Sequence, residues 1–311
     1  MKIHPGSIGI DVAKPHLDIF DADGDTITRI PNDDAAVARL ADSLAGRPVF
    51  VVFEATGRYD GRLRRALAAA GVAFARVNPE QARHFAKANG IRAKTDQVDA
   101  RLLAAMAGRL DLRTALADDE ERHTLADLGT RRHQLVMDRQ KEKVRLSEGA
   151  DLWADSIERH LAFYDAEIAR IEGQIKALVK KSSLLAKATK LLRSIPGVGP
   201  VAALTLVALM PELGRLSPKA AAALAGLAPF NRDSGAFRGI RSIAGGRKRV
   251  RDALYMAANA ARRTKSRFAV FFDDLIDRKK PFKVAIIAVA RKILVIANAV
   301  LRDQKPFVGT A

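Results

Sequence analysis

Apolar residues in the first third of the chain fall in short runs separated by polar turn residues, a pattern that predicts β-strands. The predicted strands cover residues 8–12, 17–20, 26–30, 49–53 and 72–77. The fourth run, Val49-Phe50-Val51-Val52-Phe53, is continuously apolar, as in a strand that is buried on both faces. Helical patterns at 33–44 and 62–70 alternate with the later strands. Residues 1–115 are therefore predicted to form an α/β domain.

The pattern changes to helical spacing between residues 116 and 183. Leu, Ile and Val recur at intervals close to a helical repeat on both sides of Gly149, charged residues are dense, and proline is absent from 118–181. This predicts two long helices with a break near Gly149. The pair forms either a coiled-coil hairpin or two ordinary bundle helices, and the spacing fits both.

Residues 184–311 are predicted to form a mainly helical C-terminal domain. A tight turn at Ile195-Pro196-Gly197-Val198-Gly199-Pro200 separates two helical segments, and 229–246 is predicted to be a loop rich in Gly, Arg and Ser. Further helices are expected at 217–227, 247–264, 267–276 and 282–301. The most apolar segment is interrupted by Arg291 and Lys292, so no membrane span is expected.

The charge of the chain indicates a polyanionic partner. The chain has 53 Lys and Arg against 35 Asp and Glu, with a formal net charge of +18. Lys and Arg in such excess commonly neutralise phosphates of nucleic acid, although a generally basic protein has the same composition. The absence of cysteine excludes disulfides and thiolate zinc sites, and together with an N-terminus that lacks a signal-peptide core it is compatible with a cytoplasmic location.

Four carboxylates occupy positions suited to a metal site. Asp11 and Glu54 end two apolar strands, and Asp96 and Asp99 lie three residues apart where a helical pattern begins. Carboxylates that converge from several elements bind hard cations such as Mg²⁺, and two metal ions can stabilise both oxygens of a phosphodiester displacement. Taken alone, Asp96 and Asp99 also fit a helix cap and a first-turn acid, and Glu54 fits a turn.

Glycine and arginine residues in the last third favour contact with phosphates. Gly197 and Gly199 allow a tight turn before a helix, as in a helix-hairpin-helix, although a plain turn has the same pattern. Ser234 precedes a glycine in a loop, where it is either a nucleophile or an incidental serine. The basic residues expected to contact nucleic acid near it are Arg232, Arg238, Arg241, Arg247, Lys248 and Arg251.

Histidine positions limit how Ser234 is activated. All six histidines precede residue 161, so none lies in the last third of the chain. Activation of Ser234 must then come from a metal ion, from a carboxylate of the first domain or from another subunit. The active site is therefore predicted to be composite.

In combination, these motifs resemble the DEDD transposases of the insertion-sequence-one-ten type, which are related to the Piv DNA invertases. The resemblance rests on four segments in order: Ile8-Gly9-Ile10-Asp11-Val12-Ala13-Lys14, Phe53-Glu54-Ala55-Thr56-Gly57, Lys94-Thr95-Asp96-Gln97-Val98-Asp99-Ala100, and the C-terminal stretch that contains Ile195 to Pro200, Ser234-Gly235 and Gly245-Gly246-Arg247. Each segment is a weak signal alone, and their order along nearly the whole chain is specific.

The resemblance implies an RNase H-like (RuvC-like) first domain, a helical coiled-coil middle and a C-terminal transposase domain. It implies Mg²⁺ held by Asp11, Glu54, Asp96 and Asp99, and a serine nucleophile at Ser234 that forms a transient link to DNA, with Ser242 as the reserve position. It also implies a homo-oligomer, from dimer to tetramer, that acts on donor and target DNA with a structured non-coding bridge RNA in the bacterial nucleoid. Two alternatives stay open: a RuvC-like nuclease that uses water, and a non-catalytic nucleic-acid scaffold.

Overall fold

The computed structural model describes the chain at residues 4, 6–55, 57, 59–91, 96–112, 114–115, 120–149, 152–230 and 242–309. The side chains of Asp96 and Gln97 are outside this description. The chain divides into two compact units, residues 1–118 and residues 119–311. The middle helices belong to the second unit, and their separation as a domain of their own stays a prediction.

The first unit is built on a mixed five-stranded sheet of order β3-β2-β1-β4-β5. Its strands are β1 Ser7–Val12, β2 His16–Asp21, β3 Thr26–Pro31, β4 Phe50–Glu54 and β5 Ala73–Val77. Strand β2 is antiparallel to β1 and β3, whereas β1, β4 and β5 run parallel. All five strands predicted from the sequence are confirmed, each end within about one residue of its expected position.

Helices cover both faces of this sheet. They are α1 Asp34–Leu44, α2 Gly61–Ala69, α3 Pro79–Ala88 and α4 Asp96–Ala107. Helices α1 and α2 bury one face, where Ile10 and Phe53 are fully enclosed, and α4 buries the other through Leu103 and Met106. The sequence pattern predicted one helix after β5, but the structure has two, α3 and α4. Asn78 marks the additional start, because its side chain accepts a 2.8 Å hydrogen bond from the amide of Glu80.

The second unit is helical. Its helices are α5 Glu120–Ser147, α6 Ala154–Lys181, α7 Ser183–Arg193, α8 Pro200–Leu209, α9 Pro218–Leu224, α10 Lys248–Ala261, α11 Arg267–Asp277 and α12 Phe282–Asp303. The two long helices predicted on either side of Gly149 are confirmed as α5 and α6. Leu135 of α5 and Ile171 of α6 pack into the same core as the later helices, so this part of the pair is stabilised by bundle packing. A coiled coil beyond that packing stays a prediction.

Helix α12 is long and apolar enough, by length and composition, to cross a membrane. Half of its most apolar window is nevertheless buried (50%), and it packs against α7, α9, α10 and α11. Ile286, Val289 and Ile293 on this helix are fully enclosed. Such contacts are those of a core helix in a bundle.

A short ladder closes the segment predicted as a loop at 229–246. Strand β6, Pro229–Phe230, pairs antiparallel with β7, Ser242–Ile243. The ladder is too short to produce an alternating sequence pattern, which explains why the sequence predicted only a loop. Residues 231–241, which join the two strands, lie outside the described residues.

Candidate active site

Strand register brings Asp11 and Glu54 to one edge of the sheet. Gly9 pairs with Val52 and Ile10 with Phe53 in the parallel β1–β4 ladder, and the same register sets Asp11 beside Glu54. Neighbouring strands lie about 5 Å apart, and alternate residues share a face. Asp11 and Glu54 therefore project from the face that carries Gly9 and Val52, and both residues are half-buried.

Helix α4 crosses this face at Gly9. A Cβ atom on Gly9 would lie less than 3.0 Å from the carbonyl oxygen of Ala100 and the amide nitrogen of Ala104. At the other end of the helix, a Cβ on Gly108 would meet the ring of His4, which precedes β1. Helix α4 therefore runs antiparallel to β1, and its first turn lies toward the end of the strand that carries Asp11.

The spacing along the two elements places the start of α4 level with Asp11. Asp96 lies about 6 Å along the helix from Ala100, and Asp11 lies about 7 Å along the strand from Gly9. Asp99, which precedes Ala100, is half-buried. The side chain of Asp96 is not described, and the described side chains contain no group of three His, Asp or Glu residues placed to hold one metal ion.

A buried ion pair lies beside Asp11 and is not evident from the sequence. Asp18 on β2 is the cross-strand partner of Asp11 and is 1% exposed. Arg29 donates from Nε to Asp18 Oδ1 at 2.9 Å and from Nη2 to Oδ2 at 3.0 Å, and His16 Nε2 lies 3.2 Å from Oδ2. Two carboxylates that face each other across a ladder repel each other. The positive charge of Arg29 offsets the negative charge of Asp18 and so reduces its repulsion with Asp11. The one feature of the sequence that could have indicated this ion pair is an acid, Asp18, inside the apolar run Leu17-Asp18-Ile19-Phe20.

The turn before α8 places its two glycines differently. Gly197 has a φ of 84°, and a Cβ there would lie less than 3.0 Å from the carbonyl oxygen of Ala257 and the amide nitrogen of Ala261 on α10. Gly197 is therefore needed for packing and for its left-handed backbone. Gly199 is exposed and starts α8 without a side-chain cap. Amides in the first turn of α8 are the part of this motif suited to a phosphate.

Arg247 makes protein contacts of its own at the start of α10. It donates from Nη1 to Glu212 Oε2 at 2.7 Å and to the carbonyl oxygen of Leu209 at 2.7 Å, and from Nη2 to Glu212 Oε1 at 2.6 Å. Burial alone would raise the pKa of Glu212, but the hydrogen bonds and charge of Arg247 outweigh it and hold that pKa below its ordinary value. This pair has a structural role, and DNA binding by Arg247 stays a prediction.

Two other basic residues of the predicted surface also have local partners. Lys248 Nζ lies 2.6 Å from Asp252 Oδ2 on the exposed side of α10. Arg251 donates to the carbonyl oxygen of Gly245 at 2.6 Å, which supports the turn before the helix. A role of these two residues in phosphate contact stays a prediction.

The predicted nucleophile and three predicted arginines lie outside the described residues: Ser234, Arg232, Arg238 and Arg241. The described ladder fixes both ends of their segment, because Phe230 pairs with Ser242. Ser242, the reserve position, is exposed within that ladder.

Comparison with known proteins gives consistent matches in both units. Residues 8–151 match a family model described as Transposase, and residues 189–273 match one described as Transposase IS116/IS110/IS902 family. The pilin gene-inverting protein of Moraxella bovis is 33% identical over 269 residues, covering 83% of this chain and 81% of that protein. The pilin gene-inverting protein of Moraxella lacunata has the same identity and coverage. A 43.6 kDa protein of insertion element IS110 from Streptomyces coelicolor is 29% identical over 156 residues, covering 49% of this chain and 37% of that protein.

Proposed function

This chain belongs to the IS110-type family of transposases and recombinases, and we propose that it cuts and rejoins DNA with a serine nucleophile and a carboxylate-held metal ion. The observation that carries the proposal is the meeting of three elements at one sheet edge. Asp11 and Glu54 leave adjacent parallel strands on one face, and α4 brings Asp99 and the backbone of Asp96 to the same level.

The first unit is proposed to be RNase H-like, of the RuvC-like type. The support is its strand order β3-β2-β1-β4-β5, in which β2 alone runs opposite to the other four strands, and the layering of helices on both faces. In this arrangement the carboxyl ends of β1 and β4 form the edge at which polar residues gather.

The donor set suits Mg²⁺. Asp11, Glu54, Asp96 and Asp99 supply carboxylate oxygens, which hard cations prefer. When bound, the cation would polarise the phosphodiester and stabilise the charge that develops on its oxygens. Carboxylates at one edge repel one another, so they lie closest only when a cation compensates them. Gly9 lets α4 approach β1 closely, and Asp18 lies opposite Asp11 in the β1–β2 ladder.

Ser234 is proposed to be the nucleophile. Its hydroxyl oxygen forms a bond to phosphorus, the bond from phosphorus to the leaving sugar oxygen breaks, and the hydroxyl proton is transferred to that oxygen. A second sugar hydroxyl then reverses these steps, which rejoins DNA and releases the serine without ATP. The support is the family match over residues 189–273, which contains Ser234, and the ladder that holds the ends of its segment.

The remaining parts of the proposal concern partners. No histidine lies beyond residue 160, so a histidine of the same segment cannot activate Ser234, which favours a site shared between subunits of a dimer or tetramer. A structured guide RNA is proposed from the family resemblance, and the formal charge of +18 provides the electrostatic attraction for both RNA and DNA.

Strand cutting and rejoining by matched variants tests the proposal. Asp11→Asn and Glu54→Gln are expected to lower the rate at least about a hundredfold, because each removes a ligand from the metal. Asp42→Asn, an exposed acid on α1, is the control and should leave the rate unchanged. If Asp11→Asn cuts and rejoins DNA like the control variant, the carboxylate site is not catalytic.

The serine is tested in the same assay. Ser234→Ala should lose cutting, rejoining and the covalent adduct together. A chain that loses rejoining but continues to hydrolyse DNA after Ser234→Ala would instead be a nuclease that uses water.

A further inference from the structure

A basic cavity of about 440 Å³ lies in the first unit, where α1 and α2 meet the loops that follow β1 and β4. It is lined by Lys14, Asp34, Tyr59, Gly61, Arg62 and Arg65. Three of these side chains are cationic and one is acidic, so the lining carries a formal charge of +2. Lys14, Arg62 and Arg65 are exposed, and Arg62 is ion-paired with Asp34.

Arg62 is positioned by protein contacts. Arg62 donates from Nε to Asp34 Oδ1 at 3.0 Å and from Nη1 to the carbonyl oxygen of Asn32 at 3.4 Å. A guanidinium held in one place loses less freedom when it binds a phosphate. Helix α2 begins at Gly61, and its N-cap residue Asp60 makes no side-chain cap hydrogen bond.

Buried residues fix the walls of the cavity. Asn32 is 7% exposed, and its Nδ2 donates to the carbonyl oxygens of Ala13 at 2.9 Å and Tyr59 at 3.1 Å. This amide ties the loop after β1 to the loop after β4. Asp60 is fully buried and accepts from Arg76 Nε at 2.9 Å and Nη2 at 2.6 Å, which anchors the start of α2.

The same two loops leave the strands that carry the carboxylates. Lys14 follows Asp11 by three residues, a reach of at most about 11 Å. Phosphates of one DNA strand rise about 3.4 Å apart, so the cavity lies within a few nucleotides of the carboxylate edge. Tyr59 is 38% exposed at this place, and an aromatic ring beside cationic groups is the usual platform for an unpaired base.

We propose that this cavity binds a DNA strand next to the reacting phosphodiester, with Lys14, Arg62 and Arg65 on its phosphates and Tyr59 stacked on an unpaired base. The inference rests on the proposed function for its choice of DNA. The cavity would bind the strand independently of its base sequence, because phosphates and the flat faces of the bases are common to all nucleotides.

Photo-crosslinking locates the strand directly. The full chain is irradiated with 12-nucleotide single-stranded DNAs that carry 5-iodouracil at successive positions, and adducts are mapped by mass spectrometry. An adduct on Tyr59 is expected at a subset of positions. Arg65→Gln should lower its yield at least about threefold, since one phosphate contact is lost, whereas Arg39→Gln should not. Arg39 is the matched control because it is an exposed arginine of α1 outside the cavity lining.

Affinity for the same DNAs is measured by fluorescence anisotropy. Tyr59→Ala should weaken binding about tenfold, and Tyr59→Phe should retain it, because stacking needs the ring and not the hydroxyl. The inference is overturned if no adduct maps to Tyr59, if Arg65→Gln and Arg39→Gln give equal yields, or if the matching RNA crosslinks to Tyr59 in preference to DNA. Cutting is not needed in either measurement. If the wild-type chain forms the Tyr59 adduct and Asp11→Asn cuts DNA at the wild-type rate, the proposed function is therefore refuted. DNA binding by the cavity is retained in that case.

Discussion

Gly9 occupies the point where α4 crosses β1, and a methyl group there would overlap backbone atoms of Ala100 and Ala104. Backbone atoms cannot turn aside as the end of a flexible side chain can, so a larger residue must push the helix away from the sheet. The first turn of α4 carries Asp96 and Asp99. Displacement of this helix would therefore separate two of the four acids from Asp11 and Glu54.

Gly9→Ala is expected to destabilise the first unit by about 2 kcal/mol and to reduce DNA cutting, because the added methyl overpacks the helix against the strand. Urea unfolding and a strand-cutting assay measure the two effects. Gly173→Ala in α6 is the control, since a Cβ there has no neighbour within 4 Å. Equal stability and activity in the two variants would show that α4 does not set the geometry of the site.

The Glu212–Arg247 pair gives a prediction for pH. The pKa of Glu212 is lowered in the folded protein, so the pair stabilises the fold above the unfolded value near 4.5, and that stability is lost as pH falls through the folded pKa. Glu212→Gln should therefore cost about 1 kcal/mol at pH 7, and this cost should shrink as pH falls below the unfolded value near 4.5 and through the folded pKa. Thermal unfolding measured across this pH range tests the prediction. Glu167→Gln is the control, because its exposed ion pair should contribute little to stability at any pH. A loss that is independent of pH would contradict the assigned role.

At the scale of elements, strands were predictable because each is a separate apolar run with clear turns. The start of α3 was missed although Asn78-Pro79 combines an N-cap residue with proline at the first helical position. The β6–β7 ladder was not predictable, since a pairing of two residues on each side depends on contacts across the intervening segment and not on local pattern.

The ladder also separates the two candidate serines. Ser242 pairs with Phe230 in the stem, whereas Ser234 belongs to the joining segment. We expect Ser242→Ala to retain recombination within about twofold, because its backbone pairing is kept, while Ser234→Ala abolishes it. Strand-exchange assays on both variants make the comparison. Loss of activity in Ser242→Ala but not in Ser234→Ala would identify Ser242 as the nucleophile.

At the scale of the whole molecule, each unit carries basic residues that are predicted to contact nucleic acid. Binding of DNA should weaken steeply with salt, with a slope of log K against log salt of about −4 or steeper, since several phosphates are neutralised. Titration by anisotropy between low and physiological salt measures this slope. A nearly flat response would exclude the basic surfaces as the contact with DNA.

The sequence predicted a site of four acids, but it could not show which residues pack around Asp11 and Glu54. The alignment of Asp11 beside Glu54 follows from strand order, which apolar runs only suggest. Compensation of Asp18 by Arg29 and the tie made by Asn32 depend on tertiary contacts between distant residues. Local patterns therefore indicated the chemistry of the site, whereas its geometry depends on packing.

The most direct test of the account is a map of the covalent protein–DNA adduct trapped during strand cutting, in the wild-type chain and in Asp11→Asn. We predict one adduct, on Ser234, in the wild-type chain and none in Asp11→Asn, because the proposed attack by the serine would require a metal ion held by the carboxylates. Cut DNA with no adduct on any serine, or an equal yield of the Ser234 adduct in Asp11→Asn, would contradict it.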